Sequence, residues 1–154
     1  MDIGELLDRD GVVAHLSASS KRQALFAAAE VAARKLGRDS ATILDALMER
    51  ESHGSTGVGQ GVAVPHARLP GLERMVGVFV QLDAPIPFDA VDDRPVDLMF
   101  VLFAPLDAGV EHLRALARVS RTLRHRDLRE QLRQARSADT LYALLAREAA
   151  STAA

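Results

Sequence analysis

The stretch Asp97–Ala104 constrains the fold more than any other part of the sequence, because it is almost continuously apolar. A strand buried on both faces has this pattern, whereas a strand with one face in water alternates apolar and polar residues. The surrounding apolar run Leu98–Leu106 has nine residues and contains Pro105. A helix that crosses a membrane needs about 20 apolar residues. We therefore expect a central strand that is covered on both sides, and no insertion into a membrane.

Weaker patterns place further elements around this strand. Strands are expected at 12–16, 62–64 and 75–82, and helices at 21–36, 41–52, 109–124, 126–134 and 138–148. The predicted helix caps are Ser19 or Ser20 for the first helix and Ser40 for the second, with Gly37 as the stop between them. The order of these elements predicts an α/β fold, in which a sheet is covered by helices on both faces.

Composition excludes several classes of function. A chain of 154 residues is expected to form one domain, and the absence of Cys excludes disulfides, thiol nucleophiles and Cys-ligated metals. The net charge of −2 gives no reason to expect a nucleic-acid partner. The first residues lack the basic and apolar segments of a signal peptide, so we expect a cytoplasmic protein. The tail 149–154 is expected to fray.

The stretch 54–61, Gly-Ser-Thr-Gly-Val-Gly-Gln-Gly, predicts a loop rather than a regular element. Backbone amides in such a loop can point into one concavity and bind a phosphate-like anion. A Walker loop is excluded because no Lys follows, and the dinucleotide fingerprint is excluded by the glycine spacing and the missing helix. A tight helix-to-strand connection remains an equally open interpretation.

His66 follows Pro65 at the end of the strand predicted after this loop. Proline presets the backbone immediately before the imidazole and so fixes the ring near the glycines. A neutral imidazole is a good nucleophile near pH 7, because its reference pKa is about 6.5. A lone His is equally typical of a surface or of a hydrogen-bonded core position, and the residue alone leaves both interpretations open.

Two further side chains are candidates for the same site. His112 shares one helical stripe with Leu116, Val119 and Leu123, so it is either a buried, hydrogen-bonded His or a second imidazole in a site. Arg50 precedes the glycine loop and carries a planar fork that matches phosphate oxygens. Many arginines at helix ends, however, only face solvent or favour the helix dipole.

Metal and acyl-transfer chemistry find little support. His53, His66 and His112 offer enough nitrogens for zinc, but none of them stands in a His-x-Glu or His-x₃-His pattern. Ser55 lacks the Gly-x-Ser-x-Gly surroundings of a nucleophile elbow. We therefore predict no metal and no other cofactor.

The block from Arg50 to Arg68, RESHGSTGVGQGVAVPHAR, resembles the signature of the IIA components of the phosphoenolpyruvate-dependent phosphotransferase system, mannitol/fructose type. Four later stretches resemble the nitrogen-regulatory branch, IIA-Ntr, in particular: Val76–Leu82, Pro87–Ala90, Arg94–Pro105 and Glu111–Leu113. The resemblance covers about residues 5–148 as a single domain. It departs at Ala67-Arg68, where many relatives have Gly-Lys, although Arg68 keeps the positive charge.

The resemblance implies a mixed sheet sandwiched between helices, the mannitol-type IIA fold. His66 matches the histidine that the family phosphorylates at Nε2, His112 the second active-site histidine, and Arg50 the active-site arginine. The phosphoryl oxygens are then expected to be held by these residues together with the loop residues Ser55, Thr56, Gly57, Gly59 and Gly61.

The implied function is a cytosolic phosphocarrier, a component of a phosphotransferase system. It would accept a phosphoryl group on His66 from an HPr- or NPr-like protein and regulate target proteins through its phosphorylation state. One alternative is a sugar-specific IIA subunit, for fructose or mannitol, that donates to a membrane permease. An alternative of another class is a non-catalytic regulatory domain that binds an anion or a metabolite. The identity of the targets and the formation of a homodimer are left open.

Overall fold

A computed structural model describes the backbone of residues 2–153 and the side chains of residues 2–147. The helices are α1 (Ile3–Leu6), α2 (Lys21–Leu36), α3 (Ser40–Ser52), α4 (Gly109–Leu123), α5 (Arg126–Gln134) and α6 (Ala138–Ala153). The strands are β1 (Leu7–Leu16), β2 (Gly57–Gly59), β3 (Val62–Ala63), β4 (His66–Leu69), β5 (Val76–Ile86) and β6 (Val96–Pro105). The frayed tail expected at 149–154 lies outside the residues whose side chains are described, so it stays a prediction.

The strands form one mixed sheet in the order β1-β5-β6-β3-β2. Strand β6 runs antiparallel to β5 and parallel to both β3 and β4. Strands β3 and β4 pair with successive parts of β6, because Val62 lies opposite Leu98 and His66 lies opposite Leu102. The short break between them is Val64-Pro65, so the strand that carries the candidate histidine starts directly after the proline.

The centre of the sheet is β6, as the sequence predicts. Its side chains alternate between two buried clusters: Leu98, Phe100 and Leu102 face one side, and Met99, Val101 and Phe103 face the other. Helices α1, α4, α5 and α6 contribute to the first cluster, and α2 and α3 contribute to the second. Full burial of one such side chain contributes about 1.5–3 kcal/mol. The predicted α/β class, with a mixed sheet between two helical layers, is therefore confirmed.

Polar caps define the ends of α2 and α3. The Ser20 hydroxyl accepts a hydrogen bond from the Gln23 amide at 3.2 Å, and Gly37 ends α2 in the left-handed conformation at φ 65°. The prediction that Ser40 caps the second helix is wrong. Asp39 is the cap, because its carboxylate accepts from the Thr42 amide at 3.1 Å, and Ser40 becomes the first helical residue.

Two elements differ from the sequence prediction near the N-terminus and along β5. Strand β1 starts at Leu7 rather than at residue 12, and the short helix α1 precedes it. Periodicity gave no sign of this part of the strand because it is polar and exposed. Instead, Lys35 holds it, with Nζ at 3.0 Å from Asp8 and at 2.7 Å from Asp10. Strand β5 continues to Ile86, four residues beyond its predicted end.

The glycine-rich stretch is not wholly a loop, which corrects the prediction for 54–61. Strand β2 pairs antiparallel with β3, and Gly59 lies opposite Val62. Only Gln60 and Gly61 connect the two strands, at φ 60° and 78°. A two-residue hairpin whose turn residues both have positive φ has the geometry of a type I′ turn, which the sequence satisfies with Gly61. The glycines therefore build a hairpin.

No helix in the described part of the chain is both long enough and apolar enough to cross a membrane.

Candidate active site

Three elements bring the candidate side chains together. His66 is the first residue of β4, His112 lies one turn into α4, and Arg50 lies in the last turn of α3. The rings of His66 and His112 are 5.3 Å apart at their centroids and meet edge to face at 80°. The sequence placed His66 at the end of a strand; that strand, β3, ends at Ala63, and His66 begins the next one. These side chains line a cleft of about 490 Å³.

Hydrogen bonds fix the tautomer of His66. Its Nδ1 lies 2.9 Å from the carbonyl oxygen of Val64, which can only accept, so Nδ1 carries the proton. Nε2 then keeps a lone pair, and Arg50 donates to it from Nε over 3.1 Å. The ring is thus held neutral, with its unprotonated nitrogen beside a guanidinium.

The surroundings of His66 also favour the neutral ring. Burial lowers the pKa of His66 below its ordinary value, and the charge of Arg50 lowers it further. The Val64 carbonyl and the nearby Glu51 act in the opposite direction without reversing the shift. At pH 7 the imidazole is therefore unprotonated at Nε2 and available as a nucleophile.

His112 is neutral for similar reasons. Burial lowers its pKa to about 4, and the neighbouring His66 and Arg68 act in the same direction. Arg68 donates from Nε to His112 Nδ1 over 3.3 Å, so the ring proton sits on Nε2. Within the described residues, this buried Nε2–H has no hydrogen-bond partner. A buried donor without a partner is costly, and it marks a position where an acceptor would be stabilised.

Arg68 is a site residue that the sequence analysis noted only because it keeps the positive charge where many relatives have Lys. It contacts His112 and also donates from Nη1 to the Leu106 carbonyl at 3.2 Å. A usable signal existed: residues i and i+2 of a strand share a face, and Arg68 follows His66 by two positions. The strand itself therefore places this second arginine beside the histidine pair.

No residue of the glycine-rich stretch 54–61 lines the cleft. The Ser55 hydroxyl donates to the Phe88 carbonyl at 2.7 Å and accepts from the Gly57 amide at 3.1 Å. The Thr56 hydroxyl donates to Glu51 at 2.6 Å. Gly59 and Gly61 lie near Asp92 and Arg133, at the turn of the hairpin. These contacts give no support to a phosphate-binding role for Ser55, Thr56, Gly57, Gly59 or Gly61, and that role stays a prediction.

The start of the glycine-rich stretch instead contacts the end of α3, at the buried carboxylate of Glu51 and at Arg50. Glu51 accepts from the Thr56 amide at 2.8 Å and from Lys21 at 3.2 Å. Lys21 also lies over the Phe88 ring, 4.6 Å from its centroid. The next residue back, Arg50, donates from Nη1 to the Gly54 carbonyl at 2.8 Å. The sequence reasoning missed this network, because charges at Lys21 and Glu51 give no sign that they meet.

Exposed apolar side chains at or near the start of α4 form what we call the rim, and one of them, Leu113, lines the cleft itself. Leu113 is 68% exposed, Val110 61% and Leu106 57%, and all three lie at or near the start of α4. Among the described residues, no group of three His, Asp or Glu side chains is placed to hold a metal ion. The site thus combines two neutral imidazoles, two arginines, the Glu49 carboxylate and an apolar margin. Its net positive charge suits an anionic group presented by another macromolecule.

Comparison with known proteins gives a consistent result. Residues 5–148 match the family model described as "Phosphoenolpyruvate-dependent sugar phosphotransferase system, EIIA 2". The chain is also 43% identical over 153 residues to a nitrogen regulatory protein of Bradyrhizobium diazoefficiens. That match covers 99% of this chain and all of the relative.

Solved structures show the same fold. The crystal structure of the nitrogen regulatory protein IIA-Ntr from Neisseria meningitidis superposes with a TM-score of 0.87 at 36% identity, over 93% of this chain and 98% of that one. The mannitol IIA enzyme of Escherichia coli, in its complex with phosphorylated mannitol IIB, superposes with a TM-score of 0.75 at 22% identity. This second match covers 92% of this chain and 99% of the other, and it supports the mannitol-type fold.

Proposed function

The chain belongs to the EIIA type 2 family of the phosphoenolpyruvate-dependent sugar phosphotransferase system, and we propose that it carries a phosphoryl group on Nε2 of His66. The observation that carries this proposal is the bond between His66 Nδ1 and the Val64 carbonyl. It leaves Nε2 as the unprotonated ring nitrogen, whose lone pair accepts from Arg50, in a cleft that holds two arginines. The family accounts for phosphotransfer in general; the residue and the atom are our proposal.

The transfer is an in-line displacement at phosphorus. The lone pair of His66 Nε2 forms the new N–P bond while the N–P bond to the donor imidazole breaks, and the donor ring leaves with the electron pair of that bond. The ring proton stays on His66 Nδ1 throughout, hydrogen-bonded to the Val64 carbonyl. The donor is already an activated phosphohistidine, so the protein supplies position and charge.

Three groups would hold the phosphoryl oxygens. Arg50 shifts its Nε donor from the lone pair to an oxygen, and Arg68 adds a second positive charge. The Nε2–H of His112, which lacks a partner in the described residues, gains an acceptor when the phosphoryl group occupies His66. Such preorganised donors stabilise charge that develops in a transition state, and one of them is worth about 3 kcal/mol.

The partner would be a protein that presents phosphohistidine, of the HPr or NPr kind. Its ring must reach into the cleft, so its surface must cover the rim formed by Leu106, Val110 and Leu113. Exposed apolar side chains around a polar site are typical of protein interfaces. The complex of mannitol IIA with a phosphorylated protein gives a precedent within this fold.

Phosphorylation would change what docks on this rim. A phosphate adds about 1.5–2 negative charges at pH 7, in a cleft that is positive when empty. Target proteins that recognise one of the two states could thereby be regulated, as the nitrogen-regulatory relatives suggest by name. A sugar-specific role is distinguished by onward transfer: a regulatory protein keeps the phosphate until a target or the donor removes it, whereas a sugar IIA passes it to a IIB domain.

The test is incubation with a phosphorylated HPr- or NPr-like protein, followed by intact-mass spectrometry. We expect one added phosphate that is stable in base and labile in acid, and that is lost in His66→Ala. His125→Ala is the matched control, because His125 is exposed and lies at the start of α5, away from the cleft. Phosphorylation of His66→Ala to the wild-type level, or none in the wild type, would contradict the proposal.

A further inference from the structure

A second cavity, of about 300 Å³, lies at the far end of α4 from His112. The β2–β3 hairpin forms one wall with Val58 and Gln60, and the last turn of α4 forms another with Ser120 and Leu123. Leu123 lies eleven positions after His112 on α4, which corresponds to about 16 Å along the helix axis. The cavity is therefore a separate site from the cleft at His66.

Arg129 lines this cavity and is 93% buried, with an exposed fraction of 7%. Its Nη1 donates to the carbonyls of Leu123 and Arg124, at 3.1 and 2.6 Å. Its Nε is fully enclosed and has no partner among the described residues, and its Nη2 makes no hydrogen bond to them either. The enclosed Nε–H without a partner is costly, and Nη2, which is not enclosed, is the group that an anion in the cavity can reach.

The surroundings of Arg129 leave positive charge in excess. Burial lowers the pKa of Arg129, and Arg133, Arg126 and Arg94 lower it further, which places three more cations nearby. The neighbouring carboxylates are already used. Asp97 accepts from Arg133 at 3.0 Å. Glu130 accepts from Arg126 at 3.1 Å. Arg124, which also lines the cavity, adds a further guanidinium.

We propose that this cavity binds the oxyanion of a small metabolite, a carboxylate or a phosphate group, through Arg129 and Arg124. The Ser120 hydroxyl, at the same wall, is a further donor. The apolar side chains of Val58 and Leu123 suit a short carbon chain behind the charged group. The cavity volume of about 300 Å³ lies at the lower end of the range for ligand pockets. The cavity therefore fits a metabolite of a few carbons and is too small for a nucleotide.

The test is an amide chemical-shift titration of the ¹⁵N-labelled protein with inorganic phosphate and with succinate, at constant ionic strength. Succinamide, which has the shape of succinate without its charge, is the neutral control probe. We expect saturable shifts at 58–62 and 120–129 with one or both anions and none with succinamide. The anion that binds more tightly identifies the group that the cavity prefers.

Variants then assign the contacts. Arg129→Met and Arg124→Gln should each weaken binding by about tenfold or more. Arg114→Gln, which changes an exposed arginine of α4 outside the cavity, should not. Because Arg129 also caps α4, Arg124→Gln decides the comparison where Arg129→Met does not fold. The proposal is overturned by the absence of saturable shifts at 58–62 and 120–129, by equal shifts with succinamide, or by equal loss in Arg114→Gln. Binding by His66→Ala is expected to be unchanged, so this result is independent of the proposed phosphotransfer.

Discussion

Arg50 donates from Nε to Nε2 of His66 over 3.1 Å, so the guanidinium covers the one ring nitrogen that has no proton. This contact disfavours protonation of the ring, because an imidazolium would bring two positive charges together. It also positions the guanidinium where the oxygens of a phosphoryl group on Nε2 would lie. In the proposed transfer, one side chain would thus keep the His66 ring unprotonated beforehand and stabilise the phosphorylated product afterwards.

Substitution Arg50→Gln is expected to slow phosphorylation of His66 by about 100-fold, as removal of one electrostatic donor does in other enzymes. The pKa of His66 should rise at the same time, because a nearby positive charge is removed. Single-turnover kinetics measure the first effect, and an NMR titration of the His66 ring measures the second. Arg114→Gln, on the exposed face of α4, is the control. An unchanged rate and an unchanged pKa would show that Arg50 has no role in the site.

The buried ring of His112 predicts a pH dependence of stability. Its pKa is about 4 in the folded protein, against about 6.5 in the unfolded chain. The unfolded state therefore takes up the proton first, and this contribution to stability is complete above pH 6.5 and is lost as the pH falls toward 4. His66, whose pKa is also lowered, acts in the same direction. We expect the free energy of unfolding to fall by about 2–3 kcal/mol over this range from His112.

Urea unfolding of the wild type and of His112→Gln at pH 7 and at pH 4.5 isolates this contribution. Carboxylates titrate in both proteins, so only the difference between the two pH dependences reports on residue 112. The variant should lose less stability on acidification than the wild type. Parallel loss in both proteins would mean that the ring does not resist protonation.

The sequence predicted the main elements of the fold where apolar patterns were strong. The doubly buried strand β6 and the helix α2, with its Ser20 cap and Gly37 stop, agree with expectation because their signals are local. The start of β1 was missed because its residues are polar and exposed, and because the Lys35 side chain that contacts them is distant in sequence. The hairpin at Gln60-Gly61 was missed because a glycine count does not distinguish a tight turn from an open loop.

The candidate site was predictable in part. The apolar stripe on α4 directed His112 inward, and the structure places its ring against His66. The position of Arg68 on the same face as His66 could have been predicted from strand alternation alone. The contact between the half-buried Lys21 and the buried Glu51 was not predictable, because an ion pair between two helices leaves no periodic signal in either of them.

Glu51 is expected to stabilise the glycine hairpin and the entire site. Its side chain is 4% exposed and carries bonds to both Thr56 groups and to Lys21. Glu51→Gln should lower the free energy of unfolding by about 3 kcal/mol, because it leaves the Lys21 ammonium without its buried partner. Glu49→Gln, two residues earlier and exposed, should change it by less than about 0.5 kcal/mol. Equal effects of the two substitutions in urea unfolding would exclude a special role for the buried pair.

The close approach of Gly57 to Ala90 gives a sharp test of the hairpin packing. A Cβ at position 57 would lie 2.6 Å from the Ala90 Cβ, whereas a Cβ at Gly109 would meet no atom within 4 Å. Neither glycine has a positive φ, so the two sites differ mainly in space. Gly57→Ala should therefore lower the free energy of unfolding by about 1–3 kcal/mol, and Gly109→Ala should leave it unchanged or raise it by up to about 1 kcal/mol. Adding Ala90→Gly to Gly57→Ala removes the clashing methyl and should recover part of the loss in urea unfolding; no recovery would place the cause of the loss elsewhere.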